Sequence, residues 1–217
     1  MELAKLDEPF YPKDIEWRVQ QCGISNNKPW CMVLAYVTNR AIQQRLDEVC
    51  GKENWQNDYH PAPDGGVMCS IKIKINGEWI TKKDGAENTQ IEAVKGGISG
   101  AMKRAGVQWG IGRYLYDLEE GFAKTSLEKV DGWNRTRTKD GSYIWWETPI
   151  LPDWALPREY ILSLFGSEAS SCKTADELRA VYAKYYKRCD VLGIGDRLKS
   201  LSDRYKHKLE VNNNETV

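Results

Sequence analysis

Residues Asn88–Leu118 read NTQIEAVKGGISGAMKRAGVQWGIGRYLYDL, and the fold turns on how this stretch is understood. At about 100° per residue, Ile91, Val94, Ile98, Ala101, Met102 and Ala105 fall on a common face, which predicts a helix with that face buried. Opposite them Gly96, Gly97 and Gly100 form a nearly bare stripe. Lys103 and Arg104 flank the stripe, and Lys95 and Ser99 lie towards its Lys103 edge. Each glycine costs a helix up to about 1 kcal/mol relative to alanine, so the stripe implies that something approaches the helix backbone closely. Two readings stay open: tight packing against another helix or strand, or a polyanion lying across a bare, positively flanked surface. The helix runs into Trp109-Gly110-Ile111-Gly112-Arg113-Tyr114, a Gly-rich turn carrying a cation between aromatics.

Upstream, Trp55–Lys83 reads as an antiparallel meander. Val67, Cys69, Ile71, Ile73 and Ile75 alternate with Met68, Ser70, Lys72 and Lys74, the period of a strand with one buried face. Asn76-Gly77 is a strong hairpin signal, and the chain returns through Glu78–Thr81. One sheet face should pack on the helix. The other carries Lys72 and Lys74, either solvated or part of a basic path. Trp30–Val37 reads as a strand, with a buried helix segment as the competing option. Thr38 or Asn39 can cap a helix through Cys50 that buries Ile42, Leu46 and Val49 and stops at Gly51. Arg40 lies in its first turn, where a cation opposes the helix dipole; it is either a solvated arginine or one held there for another purpose. Before that, Pro12 and the shared face of Ile15, Val19 and Cys22 predict a short helix ending at Gly23.

Downstream, Trp133–Glu147 reads as a second hairpin turning at Lys139-Asp140-Gly141. Arg135, Arg137, Trp145 and Trp146 on its arms suit either base stacking or an amphipathic edge. Pro149, Pro152 and Pro157 should end the core, dividing residues 1–157 from 158–217. The second part reads as a helical hairpin with a polar tail. A capping box opens at Thr174 with Glu177, followed by Leu178, Val181, Tyr182, Tyr185 and Cys189 on one stripe and Leu198, Leu201, Tyr205 and Leu209 on the next. It either binds a partner or packs back on the core.

The chain has 217 residues, with 31 Lys and Arg against 31 Asp and Glu, so a basic surface must be a local patch. No apolar run approaches the roughly 18 residues needed to span a membrane. The start MELAKLDEPF lacks an apolar stretch of the secretory kind, which leads to the expectation of a cytoplasmic protein without a membrane. The 6 cysteines form no C-x-x-C pair and the only histidines are His60 and His207, so neither a zinc site nor any other metal or cofactor is expected. Phosphate-loop, dinucleotide, G-x-S-x-G and H-E-x-x-H motifs are missing, and no catalytic residues are assigned. The competing enzymatic reading is a metal-dependent nuclease using Asp84 and Glu87, which are equally natural near a helix N-terminus.

The order of these parts resembles the single-strand annealing proteins of the Rad-fifty-two superfamily, in particular its bacteriophage branch. Glu92–Ala105 (EAVKGGISGAMKRA) and Trp109–Tyr116 (WGIGRYLY) carry the resemblance most specifically, and Trp145–Pro149 with Leu151–Pro157 resembles the phage members. The likeness covers roughly residues 10–157 and implies an α+β fold, an antiparallel β-meander packed on a long central helix (a β-β-β-α core), here with a helical C-terminal appendage. It implies a homo-oligomeric ring or arc with single-stranded DNA in a basic outer groove, bases exposed, annealing complementary strands without ATP in recombination and repair. In this sequence Lys103 and Arg104 occupy the family's DNA-contacting pair, and Arg40 the place of an arginine early in the preceding helix. Some members carry another basic residue one turn after the pair, where this chain has Val107; Arg113 is a candidate to compensate. The full set of candidate DNA contacts is Arg40, Lys72, Lys74, Lys95, Lys103, Arg104 and Arg113. Residues 158–217 are a candidate docking element for a single-strand-binding protein.

Overall fold

The structure, a computed structural model, describes residues 2–63, 65–88, 93–119 and 121–214, except the side chains of residues 93 and 212–214. Expectations placed on Ile91, Glu92, Glu120 and Glu215 lie outside the described residues. The chain divides into two compact units, Met1–Ile150 and Leu151–Val217.

The first unit opens with a hairpin, β1 (Ile15–Ser25) and β2 (Lys28–Val37), followed by helix α1 (Asn39–Cys50). The short helix expected over Pro12–Cys22 is instead strand β1, preceded by a single 3-10 turn at Pro12–Asp14. The reason is a bulge. Val19 pairs with Val33 and Gln21 with Met32, so Gln20 is an extra residue and the inward set becomes Ile15, Trp17, Val19 and Cys22. That spacing imitates a helical face. Asn26 and Asn27, both at positive φ (49° and 59°), close the hairpin. Thr38 caps α1, its Oγ1 accepting from the Ala41 N–H at 3.2 Å. The Arg45 guanidinium donates to the carbonyls of Lys5, Glu8 and Pro9 and stacks 4.0 Å over the Phe10 ring, which fixes the N-terminal segment to α1.

The meander follows as β3 (Trp55–Pro61), β4 (Val67–Ile75) and β5 (Glu78–Ala86), with β4 in the centre. Strand β5 runs to Ala86, five residues beyond the expected return. Helix α2 (Ala93–Gln108) crosses this sheet. Cys69, Ile71 and Ile73 from β4 and Ala101, Met102 and Ala105 from α2 are all buried. Val94, expected on the buried face, is 69% exposed. Gly97 and Gly100 are turned to the sheet instead. A Cβ on Gly97 would lie 3.0 Å from Val67 Cγ2, and on Gly100 2.9 Å from the Ala86 methyl. The bare stripe therefore serves tight packing on the chain's own sheet at these two positions.

After α2, Gly110 and Gly112 reverse the chain at positive φ (93° and 71°), with Asp7 and Val37 pressed where their side chains would stand. Trp109 is buried and donates from Nε1 to the Ile71 carbonyl at 3.1 Å. Short strands β6 (Gly121–Phe122), β7 (Thr125–Ser126), β8 (Asn134–Arg137) and β9 (Tyr143–Trp146) complete the unit. Strand β6 extends the β1–β2 sheet, and β7, β9 and β8 form a third sheet. Ile144 and Trp146 from this sheet pack with Cys31, Val33 and Ala123.

The second unit contains α3 (Arg158–Ala169), α4 (Ala175–Val191) and α5 (Gly195–Asn214). The expected two-helix hairpin is thus a three-helix arrangement, because Ile161, Leu162, Phe165 and Ala169 give α3 a buried stripe of its own. Phe165 meets Tyr185 and Tyr205 edge-on. The Thr174–Glu177 capping box is present. All 6 cysteines are free thiols, and burial pushes those of Cys31 and Cys69 up to about 11.

Because the sheet presses on α2 at Gly97, Gly97→Val should overpack this contact and cost about 1–3 kcal/mol. Urea unfolding followed by far-ultraviolet circular dichroism checks this. A midpoint equal to that of the parent would show that the helix–sheet spacing is not set there.

Candidate nucleic-acid interface

Helix α2 presents the adjacent cations Lys103 and Arg104 to different neighbours. Lys103 leans towards the first hairpin, and its Nζ lies 3.0 Å from Glu16 Oε2 and 5.4 Å from the Tyr36 ring centroid. Glu16 and Tyr36 are cross-strand partners on β1 and β2. Only 13% of the Lys103 side chain is exposed. Burial pulls the Lys103 pKa down and the nearby Arg18 adds to this, more than Glu16 restores. Glu16 moves in the favourable direction: burial opposes ionisation, but Lys103 and Arg18 outweigh it and hold the carboxyl below its ordinary value. Both shifts are downward, which favours the charged form of Glu16, facing two cations, and disfavours that of Lys103, which is more deeply covered and faces one carboxylate and a like charge.

Arg104 leans the other way, towards β5. Its Nε lies 3.0 Å from Asp84 Oδ1, with 55% of the side chain exposed. Asp84 also accepts from Gln108 Nε2 at 3.1 Å and from the Gly85 N–H at 2.7 Å. Burial opposes its ionisation, but these hydrogen bonds and Arg104 together keep its pKa below the usual carboxylate value. Both Asp84 oxygens are therefore occupied by donors of this chain, an anchor for α2 more than a metal ligand. Among the described residues no cluster of three or more His, Cys, Asp or Glu is placed to hold a metal ion.

The remaining candidates separate. Arg40 is exposed in the first turn of α1, directly after Tyr36–Thr38, and makes no hydrogen bond or ion pair among the described residues. Lys95 is exposed on the first turns of α2. Arg113 folds back and donates to the carbonyls of Val107 (3.0 and 2.8 Å) and Gln108 (3.1 Å), closing the C-terminal end of α2. Lys72 and Lys74 pair across β4–β5 with Thr81 and Trp79, on the sheet face away from α2. They do not share a surface with Lys103 and Arg104. Lys82 was missed by the sequence reading. Its Nζ donates to the Gln108 carbonyl at 2.8 Å and lies 4.5 Å over the Trp109 ring. Continuing the β5 alternation past Thr81 would have found it, since Ile80, Lys82, Asp84 and Ala86 share the helix-facing side.

With this geometry in place, comparison with known proteins identifies the class. Residues 2–134 match the family described as Rad52/22 family double-strand break repair protein, and the chain belongs to that family. It is similar to the single-stranded DNA-binding protein DdrA of Deinococcus radiodurans, 31% identical over 155 residues that span 70% of this chain and 66% of the relative. It is also similar to the single-stranded DNA-binding protein DdrA of Deinococcus deserti, 29% identical over 155 residues, 70% of this chain and 69% of that relative. No solved structure matches the chain. Among the described residues no helix is long and apolar enough to cross a membrane.

The lowered pKa of Asp84 fixes the sign of a pH effect. Its contribution to stability is present above the unfolded carboxyl value near 4 and is lost as pH falls through the lower folded value. The stability difference between the parent and Asp84→Asn should therefore be widest near neutral pH and narrow towards about pH 3. Urea midpoints across that range measure it; a difference that does not change with pH would remove the ionic role of Asp84.

Proposed function

We propose that this chain binds single-stranded DNA and anneals complementary strands in recombination and repair. The observation that carries the reading is the pair Lys103–Arg104 on the two shoulders of α2, with Arg40 at the adjacent start of α1, in a member of the Rad52/22 family. Its similarity to the two single-stranded DNA-binding proteins supports the choice of ligand.

The mechanism is an exchange of anions. Arriving phosphates take the place of Glu16 at Lys103 and of Asp84 at Arg104, and Arg40 and Lys95 add contacts along the same path. Arg104 is the exposed partner of its pair, and Asp84 keeps hydrogen bonds from Gln108 and the Gly85 N–H when Arg104 turns to a phosphate. Counterion release from the DNA drives binding, and pairing between strands supplies the specificity through about 1.4 kcal/mol per stacked step. No nucleotide is consumed. Arg113 acts indirectly by closing α2, while Lys72 and Lys74 offer a separate basic face.

A homo-oligomeric ring or arc is the assembly proposed, with residues 1–157 as binding core and residues 158–217 as an appendage for a partner. The groove between α4 and α5 supports that last assignment. Leu178, Tyr182, Arg179, Lys199, Lys206 and Asp203 line it; Arg179 pairs with Asp176 and Lys206 with Glu210, which leaves Lys199 to meet an acidic group of a single-strand-binding protein. A role in bacteriophage recombination, in the cytoplasm of a bacterial host, rests on the Trp145–Pro157 stretch alone.

Mixing complementary oligonucleotides with the protein, without nucleotide, should accelerate duplex formation. Lys103→Ala with Arg104→Ala should abolish most of that acceleration. It should also reduce the slope of log affinity against log salt by about 1.4, at about 0.7 per phosphate contact on a single strand. An unchanged slope would remove the two residues from the DNA path. Electron microscopy with and without single-stranded DNA should show rings or arcs, and isolated monomers in both would overturn the assembly.

A further inference from the structure

The β8–β9 hairpin starts where the family match ends, at residue 134. Its inner face belongs to the core: Ile144 and Trp146 are buried. Its outer face has a composition of its own. Arg135 is the cross-strand partner of Trp145, and Arg137 that of Tyr143, so arginine and aromatic side chains alternate on one surface. The Arg135 guanidinium stands 4.7 Å from the Tyr143 ring centroid and that of Arg137 5.9 Å. Tyr143 is 47% exposed.

Neither arginine has a carboxylate partner among the described residues. Arg137 donates from Nε to the Gly141 carbonyl at 3.1 Å, and Arg135 is held only by the ring beneath it. Of the acids in the flanking segments, all but Glu128 are engaged elsewhere among the described residues. Glu147 pairs with Lys124 at 2.9 Å and Asp131 with Lys129 at 3.6 Å. Asp140 accepts from the hydroxyls of Thr138 and Ser142. An exposed π surface carrying unneutralised cations suits a polyanion with planar groups. An acidic peptide would satisfy the arginines but give the aromatic faces nothing to stack on.

We propose that the outer face of β8–β9 is a second contact for single-stranded DNA, where a base stacks on Tyr143 or Trp145 while Arg135 and Arg137 neutralise the flanking phosphates. The proposal rests on the single-stranded DNA reading above and adds base contact to a site otherwise made of phosphate contacts. Trp145 is half-buried and Tyr143 exposed, so Tyr143 receives the base first.

The test uses the full chain and a fluorescein-labelled thirty-residue oligothymidylate, with an abasic oligomer of equal length as control. Tyr143→Ala should weaken thymidylate binding about fivefold to tenfold, the low end of a base-stacking contribution, and leave abasic binding unchanged. Tyr143→Phe, which keeps the ring, should bind as the parent does. Arg135→Ala should weaken both oligomers. Ultraviolet crosslinking with bromodeoxyuridine, read by peptide mass mapping, should place adducts on Tyr143 or Trp145. Adducts confined to α1 and α2, with unchanged affinity in Tyr143→Ala and Arg135→Ala, would overturn the second contact and leave the annealing function standing. Altered sedimentation of Tyr143→Ala with intact DNA binding would make this face a subunit contact and equally overturn it. If the parent protein binds neither oligomer at low salt, the single-stranded DNA reading falls as well.

Discussion

The distance at which α2 rides over its sheet governs the first unit. Gly97 and Gly100 let the helix backbone descend onto Val67 and Ala86, and nothing larger than hydrogen fits at Gly100 without displacing the Ala86 methyl. That descent brings the shoulders of the helix level with its neighbours. Lys103 reaches Glu16 on the first hairpin and Arg104 reaches Asp84 on β5. The end of the helix is fixed by the same approach, since the Trp109 indole can donate to the Ile71 carbonyl only if the two elements are close. The Gly-rich turn then lets Arg113 fold back to cap the helix.

On the reading proposed above, this packing lets a chain with balanced charge offer a site for a polyanion. Lys103 and Arg104 are paired with carboxylates from two different sheets, Glu16 on β1 and Asp84 on β5. The two pairs differ. Arg104 is 55% exposed, whereas Asp84 is 21% exposed and is also held by Gln108 and the Gly85 N–H. Lys103 is largely covered beside Tyr36, and burial, with Arg18 nearby, holds its pKa below the ordinary lysine value despite Glu16.

How far the sequence disclosed this follows the range over which its signals act. The meander was legible because Val67–Ile75 keeps strict alternation and Asn76-Gly77 turns the chain, both local properties. Strand β1 was not, because one bulged residue at Gln20 converts a period of two into spacings that imitate a helix. Halting β5 at Thr81 hid Lys82 and the pairing of Asp84 with Arg104, so the acid was weighed as a metal ligand. The positions of Lys103 and Arg104 on the helix were readable from a hundred-degree wheel. Their partners were not, since Glu16 is 87 residues away and meets Lys103 only through the fold. Arg113 shows the same limit: its sequence neighbours suggest a free cation, yet the reversal at Gly110 and Gly112 spends it on carbonyls.

Annealing sets conflicting demands on a binding surface, and the two kinds of contact proposed here bear on that conflict. Phosphate contacts at Lys103 and Arg104 hold a strand without occupying its bases, so pairing stays open along the bound length. A base stacked on Tyr143 is withdrawn from pairing. Stacking on an aromatic side chain contributes about 1–3 kcal/mol per base. A correct duplex step averages about 1.4 kcal/mol. The two are close enough that a complementary strand extending along the phosphate-held segment would free the stacked base once a few steps have formed. A mismatched strand would gain too little to do so. On this proposal, a weak aromatic hold beside phosphate contacts would favour extension of correct pairing over incorrect pairing without any sequence-specific contact from the protein.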